Sequence, residues 1–428
     1  MIWVYRTLFL PLLLLASPYY LWRMRRRGGY APGFWHRFGE VPPLPAKAAG
    51  VKRVWLQAVS VGEILAIAPL LEAFKREGRT EVYLTTTTST GYQLAKEKYA
   101  ALTVGIGYFP LDWWAFSAAA WRQVAPDLAI LMEGERWPEH VAQARACGVP
   151  VVSINARMSD RSFKRSMRFN WALRPLAAGI TRVLCAAKRD EQRFKALGFP
   201  PDRLQTTGNL KLDVDIPLLA DADKAALRRE LGLGAGLVLL GSSTWPGEET
   251  ALLTALKAAR EQGLKVSLLL VPRHAERREE LRGLLEKSAL SFHFRSAGAA
   301  SGQVDVSVGD TTGELRKFTQ LADLVFTGKS LAPHDGGQTP VEAAVLGKPV
   351  LHGPRMTNFR DIIRTLTEAG AVRKVETHSE LIAAAVELLQ DVVQREKLAA
   401  AARDWSEANR GATERTLAVI RAQLGHGG

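Results

Sequence analysis

From residue 54 almost to its end, the chain alternates short apolar runs with helix-like patterns, and small, polar or charged residues follow each run. This alternation predicts an α/β protein, because parallel strands are joined by helical, right-handed crossovers. In such sheets the functional groups gather beyond the carboxyl ends of the strands. The residues that follow the apolar runs are therefore the candidates for chemistry.

The alternation falls into two series, which predicts two Rossmann-like domains. A chain of 428 residues with 47% hydrophobic residues is long enough, and apolar enough, for two cores. Residues 213–223, rich in aspartate and alanine, are interpreted as the hinge. The predicted divisions are an N-terminal membrane-associating segment, 1–30, and two domains, 31–215 and 216–428.

The N-terminal segment joins an apolar run, residues 8–22, to a basic cluster. The run ends in Tyr19, Tyr20 and Trp22, which prefer the headgroup zone of a bilayer. Four arginines follow it: Arg23, Arg25, Arg26 and Arg27. We expect an uncleaved anchor that lies in, or just enters, the inner leaflet of the cytoplasmic membrane, with the rest of the chain in the cytoplasm. A buried helix with a solvated basic tail is the alternative.

The net charge of +14 favours an anionic partner, such as a membrane, a nucleic acid or an anionic substrate. Nucleic acid is not expected, because the basic residues are not interleaved with aromatic ones and no binding module is recognisable. The two cysteines, Cys147 and Cys185, fit a reducing compartment and have no zinc-site spacing.

Acidic residues and one lysine mark the strand ends of the first series. Glu63 precedes an apolar helix and can serve as a general base if burial raises its pKa. Glu133 and Glu135 follow the run 128–131, and Lys211, near the hinge, can neutralise charge at a reacting centre. Alternatively, Glu63 has only a structural role, as an acidic residue at a helix N-terminus that the helix dipole stabilises.

A basic stretch begins where the next strand is predicted to end. Arg157 follows Asn155, and Arg161 begins a helical pattern that continues with Lys164, Arg165 and Arg168. This face can meet an anionic acceptor, and a solvated helix face is the equal alternative.

In the second series, Arg273 and His274 follow a predicted strand and can pair with a phosphate. The turn 310–314 offers backbone donors for a phosphate or a base. Residues 323–350 predict a strand, a glycine loop and a helix with Thr339 as N-cap and Pro340 at its first position. Glu342 then lies in the first turn, where a carboxylate can accept both hydroxyls of a ribose. An ordinary capped helix is the alternative.

Two apparent motifs fail. The sequence Thr-Gly-Lys-Ser at 327–330 ends like a P-loop, but Asp323 stands where the first glycine belongs. Asp213 and Asp215 resemble an Asp-x-Asp metal clamp, but they lie in the predicted hinge. No metal or other cofactor is expected.

Taken together, these segments resemble the transferases of Kdo (3-deoxy-D-manno-oct-2-ulosonic acid) in lipopolysaccharide biosynthesis. The resemblance covers nearly the whole chain, and the matching stretches are 58–63, 132–138, 155–159, 207–211, 271–274, 309–315 and 336–343. It implies a GT-B glycosyltransferase fold with a cleft between the two Rossmann-like domains. The N-terminal domain would hold the acceptor and the C-terminal domain the nucleotide sugar.

The resemblance also implies an activity: inverting, metal-independent transfer of Kdo from CMP-Kdo to a phosphorylated lipid A precursor, similar to lipid IVA, at the cytoplasmic face of the inner membrane. Glu63 falls on the general base, and Glu133 and Lys211 fall on residues that stabilise the transition state. Arg157 and Arg161 are candidates for acceptor binding. The implied CMP site comprises Arg273, His274, Thr312, Gly313, Glu314, Thr339, Pro340, Val341 and Glu342.

The chain departs from the family pattern at three places. Gln338, Thr339 and Pro340 replace His-Asn-Pro, Gly134 to Pro138 replace Thr-Glu-Leu-Trp-Pro, and Trp245 replaces the histidine of Ser-Thr-His. Two alternatives stay open: a GT-B transferase that moves another nucleotide sugar onto a lipid, and a non-catalytic nucleotide- or lipid-binding relative.

Overall fold

A computed structural model describes residues 2–26, 33–168 and 178–425 of the chain. The chain divides into two compact units, of which unit 1 comprises Met1–Asp213 and Gly411–Gly428, and unit 2 comprises Val214–Arg410. The sequence-based boundary at 215/216 lies two residues from the point where the chain first passes from unit 1 to unit 2. Arg27 of the predicted basic cluster lies outside the described residues.

Unit 1 contains a parallel sheet, which has seven strands among the residues described. The strands are β1 Lys52–Gln57, β2 Thr80–Thr86, β3 Gly105–Tyr108, β4 Leu128–Met132, β5 Val151–Ala156, β6 Arg182–Cys185 and β7 Leu204–Thr206. The helices are α1 Ile2–Arg26, α2 Val61–Ala66, α3 Ala68–Glu77, α4 Ser89–Tyr99, α5 Trp114–Val124, α6 Pro138–Ala146, α7 Asp160–Arg168 and α8 Lys188–Ala196. Short 3-10 helices occupy Phe34–Phe38 and Pro201–Arg203.

The strand order of unit 1 is β3-β2-β1-β4-β5-β6-β7. The central strands β1, β4 and β5 are almost wholly buried, as expected of a parallel sheet with helices on both faces. One core cluster contains Leu56, Ile64 and Leu70, and another, around Trp55 and Trp121, is rich in aromatic rings.

Unit 2 repeats this plan. Its strands are β8 Leu237–Thr244, β9 Val266–Pro272, β10 Phe292–Phe294, β11 Val306–Val308, β12 Leu324–Thr327, β13 Val350–His352 and β14 Val372–Lys374. The helices are α9 Asp221–Glu230, α10 Glu248–Glu261, α11 Arg278–Ser288, α12 Leu315–Leu321, α13 Val341–Val345, α14 Arg360–Glu368, α15 His378–Gln390 and α16 Val392–Asn409. Short 3-10 helices occupy Ala275–Arg277, Arg295–Ala297 and Thr357–Phe359.

The strand order of unit 2 is β10-β11-β9-β8-β12-β13-β14, and all its strand pairs are parallel in the residues described. Its core packs α10 and α15 against the sheet, with Leu252, Leu268, Phe326 and Leu388 among the buried side chains. Each unit is thus a Rossmann-like fold, as the alternation predicts.

The last helix, α17 (Ala412–Gln423), corrects one predicted domain boundary. The sequence assigns all of 216–428 to the second domain, but residues 411–428 belong to unit 1. The physical reason is burial, because Leu417 and Ile420 are fully buried in the unit 1 core that also contains Leu70. Asp213 fixes the start of the helix, since its carboxylate accepts the backbone N–H groups of Gly411 at 2.9 Å and Thr413 at 2.6 Å.

Helix α1 is attached to unit 1 through its first turns. The Arg6 guanidinium donates two hydrogen bonds of 2.8 Å to the carboxylate of Glu139, whose side chain is fully buried. The Tyr5 hydroxyl donates to Asp112 at 2.8 Å, and the Trp113 indole donates to the carbonyl oxygen of Arg6 at 3.2 Å. The segment Ile2–Tyr19 is long and apolar enough to cross a membrane, and none of it is buried in the protein. The alternative of a buried N-terminal helix therefore fails for this segment.

Candidate active site

Each sheet has one position where the direction of winding reverses. In unit 1 it lies between β1 and β4, and in unit 2 between β8 and β12. The loops after such a pair of strands separate from each other and leave a crevice at the carboxyl edge of the sheet, where α/β proteins bind their ligands. The candidate residues of unit 1 cluster around the first of these positions.

Glu63 lies in the first turn of α2, directly after β1, and is almost wholly buried. Its carboxylate accepts hydrogen bonds from the Val59 backbone N–H at 2.8 Å and from the Ser60 hydroxyl at 2.9 Å. The Ser60 oxygen in turn accepts the Glu63 backbone N–H at 3.3 Å, so the two residues cap the helix reciprocally. This bonding fixes the carboxylate in one orientation, as a general base requires.

The surroundings raise the pKa of Glu63 above its ordinary value. Burial is the main cause, and the charge of Glu133 adds to it, whereas the Val59 N–H, the Ser60 hydroxyl and the Lys211 ammonium oppose it. A carboxylate with a raised pKa is a better proton acceptor than an exposed one. The condition that the sequence left open for Glu63, burial with a raised pKa, is met.

Glu133 follows β4, across the winding reversal from Glu63. The Lys211 ammonium lies 2.5 Å from its Oε1 atom, and the Arg157 guanidinium lies 3.6 Å from the same oxygen. Lys211 also lies beside the start of α2, since a Cβ atom added to Gly62 would come within 3.7 Å of its Nζ atom. Residues from three predicted strand ends, together with Lys211 near the predicted hinge, therefore form one charged cluster.

Backbone geometry holds this cluster in place. Glu133 has a φ of 57° and Asn155 a φ of 48°, values that non-glycine residues seldom adopt. The buried Asn155 amide oxygen accepts the Leu210 N–H at 3.0 Å, which ties β5 to the segment that carries Lys211. Strained positions of this kind concentrate at functional sites.

Arg157 and Arg161 differ in position. Arg157 faces Glu133, whereas Arg161 is an exposed residue of α7, on the same face as Lys164, Arg165 and Arg168. The contacts described do not connect Arg161 with the charged cluster. The predicted basic helix therefore exists, with its cations in solvent.

In unit 2 the predicted nucleotide residues lie beyond the carboxyl ends of β9, its neighbour β11, and β12 on the other side of β8. Arg273 and His274 follow β9 and are exposed. Thr312, Gly313 and Glu314 follow β11, where Glu314 accepts a 2.5 Å hydrogen bond from the Thr311 hydroxyl. Burial raises the pKa of Glu314, but this bond and the charge of Arg295 outweigh it and leave the pKa below its usual value.

The helix that carries Glu342 begins one residue later than predicted. Pro340 is its N-cap and Val341 its first residue, so the prediction of Thr339 as cap and Pro340 as first helical residue was wrong by one position. Thr339 still contributes, because its hydroxyl oxygen accepts the Val341 N–H at 3.3 Å. Glu342 pairs with Arg316 at 3.1 Å, and Gly347, with a φ of 62°, follows the end of the helix.

Comparison with known proteins identifies the family. Residues 32–214 match the family model described as 3-deoxy-D-manno-octulosonic-acid transferase (kdotransferase). The 3-deoxy-D-manno-octulosonic acid transferase of Bordetella pertussis is 34% identical over 95% of this chain and 96% of its own length. The chain belongs to the Kdo transferase family. The enzyme of that name from Haemophilus influenzae is 31% identical over 97% of this chain and 95% of its own length.

Among solved structures, a glycosyltransferase from Rickettsia africae matches with a TM-score of 0.53 at 11% identity, covering 87% of this chain and 99% of the other. At that identity the likeness shows the fold alone. It agrees with the GT-B class that the sequence predicts for a Kdo transferase.

Sequence reasoning passed over some residues of these two edges. Glu135, two residues after Glu133, was noted but given no role, yet burial and the charges of Glu63 and Glu133 raise its pKa to about 7. Trp245 was noted as a departure from the family, and Lys329 only as part of a failed P-loop. Their positions directly after β8 and β12 are the signal that could have found them.

Asp213, one of the two aspartates that resemble a metal clamp in the sequence, has backbone partners. Both carboxylate oxygens of Asp213 accept backbone N–H groups at the start of α17. Within the described residues, no group of three or more His, Cys, Asp or Glu side chains is arranged to hold a metal ion. Asp213 is therefore explained as a helix cap.

Proposed function

We propose that the protein transfers Kdo from CMP-Kdo to a phosphorylated lipid A precursor of the lipid IVA kind, with inversion and without a metal ion. The observation that carries the proposal is the buried, reciprocally capped Glu63 beside the Glu133–Lys211 ion pair. Membership of the Kdo transferase family supports the transferred sugar. The acceptor, the residue roles and the absence of a metal are our proposals.

In the proposed reaction, Glu63 takes the proton of the acceptor hydroxyl as that oxygen attacks the anomeric carbon of Kdo. A carbon–oxygen bond to the acceptor forms on one face of the sugar, and the bond to the CMP phosphate breaks on the other. CMP leaves with the bonding electron pair, and the configuration at the anomeric carbon inverts.

Lys211 supports this step in two ways. Its ammonium offsets the charge of Glu133, which would otherwise raise the pKa of Glu63 further, and it can stabilise negative charge that develops on the attacking oxygen. Fixed charges of this kind lower the barrier without having to reorganise during the reaction.

In unit 2, we assign the CMP phosphate to Arg273, with His274 beside it, and the ribose hydroxyls to Glu342. The turn of Thr312, Gly313 and Glu314 and the segment Thr339 to Val341 border that edge of the sheet. A guanidinium offers the forked donors that suit phosphate oxygens. Phosphate groups of the acceptor are assigned to Arg157 and Arg161.

The membrane proposal rests on how α1 is attached. Tyr5 and Arg6 contact Asp112 and Glu139 in the body of unit 1, and the chain again contacts that body at Phe38, whose ring packs against Phe116 with centroids 5.2 Å apart. From Arg6 to Arg26 the helix rises about 30 Å. From Arg26 to Phe34, even a fully extended chain reaches only about 29 Å, which is no more than the rise of the helix.

A spanning helix would put Arg26 on the far side of the bilayer, and the chain would have to return through hydrocarbon without backbone hydrogen bonds. We therefore infer that α1 lies along the inner leaflet. Its outward face presents a continuous row of exposed apolar or aromatic side chains: Val4, Leu8, Leu12, Leu15, Tyr19 and Trp22.

The decisive experiment is a transfer assay with purified protein, anionic phospholipid vesicles, lipid IVA and CMP-Kdo generated in the assay, with UDP- and GDP-sugars in parallel. We expect transfer from CMP-Kdo alone, and undiminished transfer in EDTA. Transfer from another nucleotide sugar in its place would favour the first alternative. Absence of any transfer, with CMP still bound, would favour a non-catalytic relative.

A further inference from the structure

A cationic and aromatic cluster lies at the winding reversal of unit 2. Trp245 follows β8, and the Lys329 ammonium lies over its indole ring, 4.7 Å from the ring centroid. The rings of His274 and His334 lie against the same indole, with centroids 5.4 Å and 5.2 Å away. Three residues that can carry positive charge thus contact one indole ring.

One buried carboxylate holds this arrangement. Glu248 is fully buried in the first turn of α10, and its Oε2 atom accepts the backbone N–H groups of both Trp245 and Lys329, each at 2.9 Å. Its Oε1 atom accepts the Ser330 N–H at 3.0 Å. Because one side chain fixes both loops, the ring and the ammonium are positioned before any ligand arrives.

The backbone at Lys329 is one that a glycine would adopt more easily. Its φ is 58°, and Ser243 on the neighbouring loop has a φ of 54°. The two loops also approach closely, since a Cβ atom at Gly328 would lie 2.3 Å from the carbonyl oxygen of Ser243. A long cationic side chain at a left-handed position carries a conformational cost, which points to a use for the side chain.

The cluster contains cations without an ion-pair partner and hydrogen-bond donors without an acceptor. Among the residues that the structure describes, no carboxylate lies within ion-pair distance of Lys329 or Arg273. The Trp245 indole N–H and the hydroxyl of the fully buried Thr244 have no hydrogen-bond partner among the described residues. Such a set favours a ligand that only accepts hydrogen bonds and carries negative charge, as a carboxylate does.

We propose that Lys329 and Trp245 bind the acidic sugar of the donor: the ammonium takes the sugar carboxylate and the indole face packs against the sugar's C–H groups. The inference rests on the proposed donor, CMP-Kdo, which carries two anionic groups, a phosphate and the carboxylate of an octulosonic acid. Two cation positions flank β8, with Arg273 after β9 and Lys329 after β12. An aromatic face beside a cation suits an acidic sugar better than a bare phosphate.

The test separates the sugar from the nucleotide. Lys329→Gly removes the ammonium and suits the left-handed backbone, so misfolding is not expected. We expect the KM for CMP-Kdo to rise about tenfold to a hundredfold, in line with loss of a hydrogen bond to a charged group, while the Kd for CMP stays within about twofold. Lys329→Arg should restore part of the loss, and Lys374→Met, at an exposed lysine of β14, should change neither constant.

A second readout does not need turnover. Free Kdo is titrated by calorimetry into protein saturated with CMP, where wild type should bind and Lys329→Gly and Trp245→Ala should bind at least tenfold more weakly. If these variants bound CMP itself as much more weakly as they bind Kdo, the proposal would be overturned, because the cluster would then hold the nucleotide. Unchanged KM and unchanged Kdo binding would also overturn it. A wild type that binds Kdo at this site but transfers none would instead refute the proposed function.

Discussion

The two winding reversals differ in how the charges beside them are compensated. In unit 1, charge is compensated inside the protein: Glu133 is paired with Lys211, and Glu63 is hydrogen-bonded to its own helix start. In unit 2, the cations Arg273 and Lys329 have no acidic partner among the described residues. The comparison teaches that the charges of unit 1 are compensated within the protein, which suits the proposed proton transfer, whereas unit 2 leaves two cations for the charge of the proposed donor.

The largest effect should come from breaking a buried pair in unit 1. Arg6→Met leaves the fully buried Glu139 without its cation, which should lower the free energy of unfolding by about 3 kcal/mol. Urea unfolding followed by tryptophan fluorescence measures the change. The Arg6→Met/Glu139→Met double variant should regain most of it, and equal losses in single and double variants would contradict this account.

Next in size is the loss of the base. Glu63→Gln keeps the shape and removes the basicity, so kcat should fall by about 100-fold or more while the Kd for CMP is unchanged. Glu72→Gln, an exposed glutamate of α3, is the matched control. Near-normal turnover in Glu63→Gln would remove this residue from the mechanism and, with it, the contrast between the units.

In unit 2 the pattern should reverse. Arg273→Gln removes an exposed cation without an internal partner, so stability should change by no more than about 0.5 kcal/mol. CMP affinity should fall roughly tenfold, since a hydrogen bond to a charged phosphate is lost. Thermal unfolding checks the predicted stability and calorimetry of the same sample checks the predicted CMP affinity, with Arg364→Gln as control. A clear loss of stability would show that the cation serves the fold.

The smallest effect concerns pH. In the proposed mechanism Glu63 must be ionised, so the acid limb of kcat/KM should follow its raised pKa. The Lys211 charge lowers that pKa, and Lys211→Met should therefore move the limb to higher pH. The pH profile of residual activity is the measurement, with Lys188→Met as control. A limb that stays in place, or moves to lower pH, would mean that another group sets it.

Much of this arrangement follows from local sequence. Strand ends can be read from the sequence because apolar runs stop just before Glu133 and Arg273, and Glu63 lies in the first helical turn after the run of β1. Parallel topology then brings the strand ends of each sheet to one edge. The contact between Lys211 and Glu133 could be expected only through the family resemblance, because it depends on the tertiary path through Asn155 and Leu210. The membership of α17 in unit 1 has no local signal, since its apolar face would fit either core.

The Trp245–Lys329 pair was missed for a related reason. The two residues are far apart in sequence and meet because Glu248 hydrogen-bonds both backbones. A motif search judges Lys329 by its immediate neighbours, which form an incomplete P-loop. Only the strand order places it beside Trp245.

The return of α17 to unit 1 has a consequence for synthesis. Leu417 and Ile420 belong to a core that also contains Val54, so unit 1 lacks part of its interior until α17 has left the ribosome. Unit 2 is continuous in sequence and has no such wait. Because domains fold as units during translation, unit 2 should reach its native state first, although it is made second. A chain cut shortly before α17 would release a finished unit 2, to which we assign the nucleotide, attached to an unfinished unit 1, to which we assign the base.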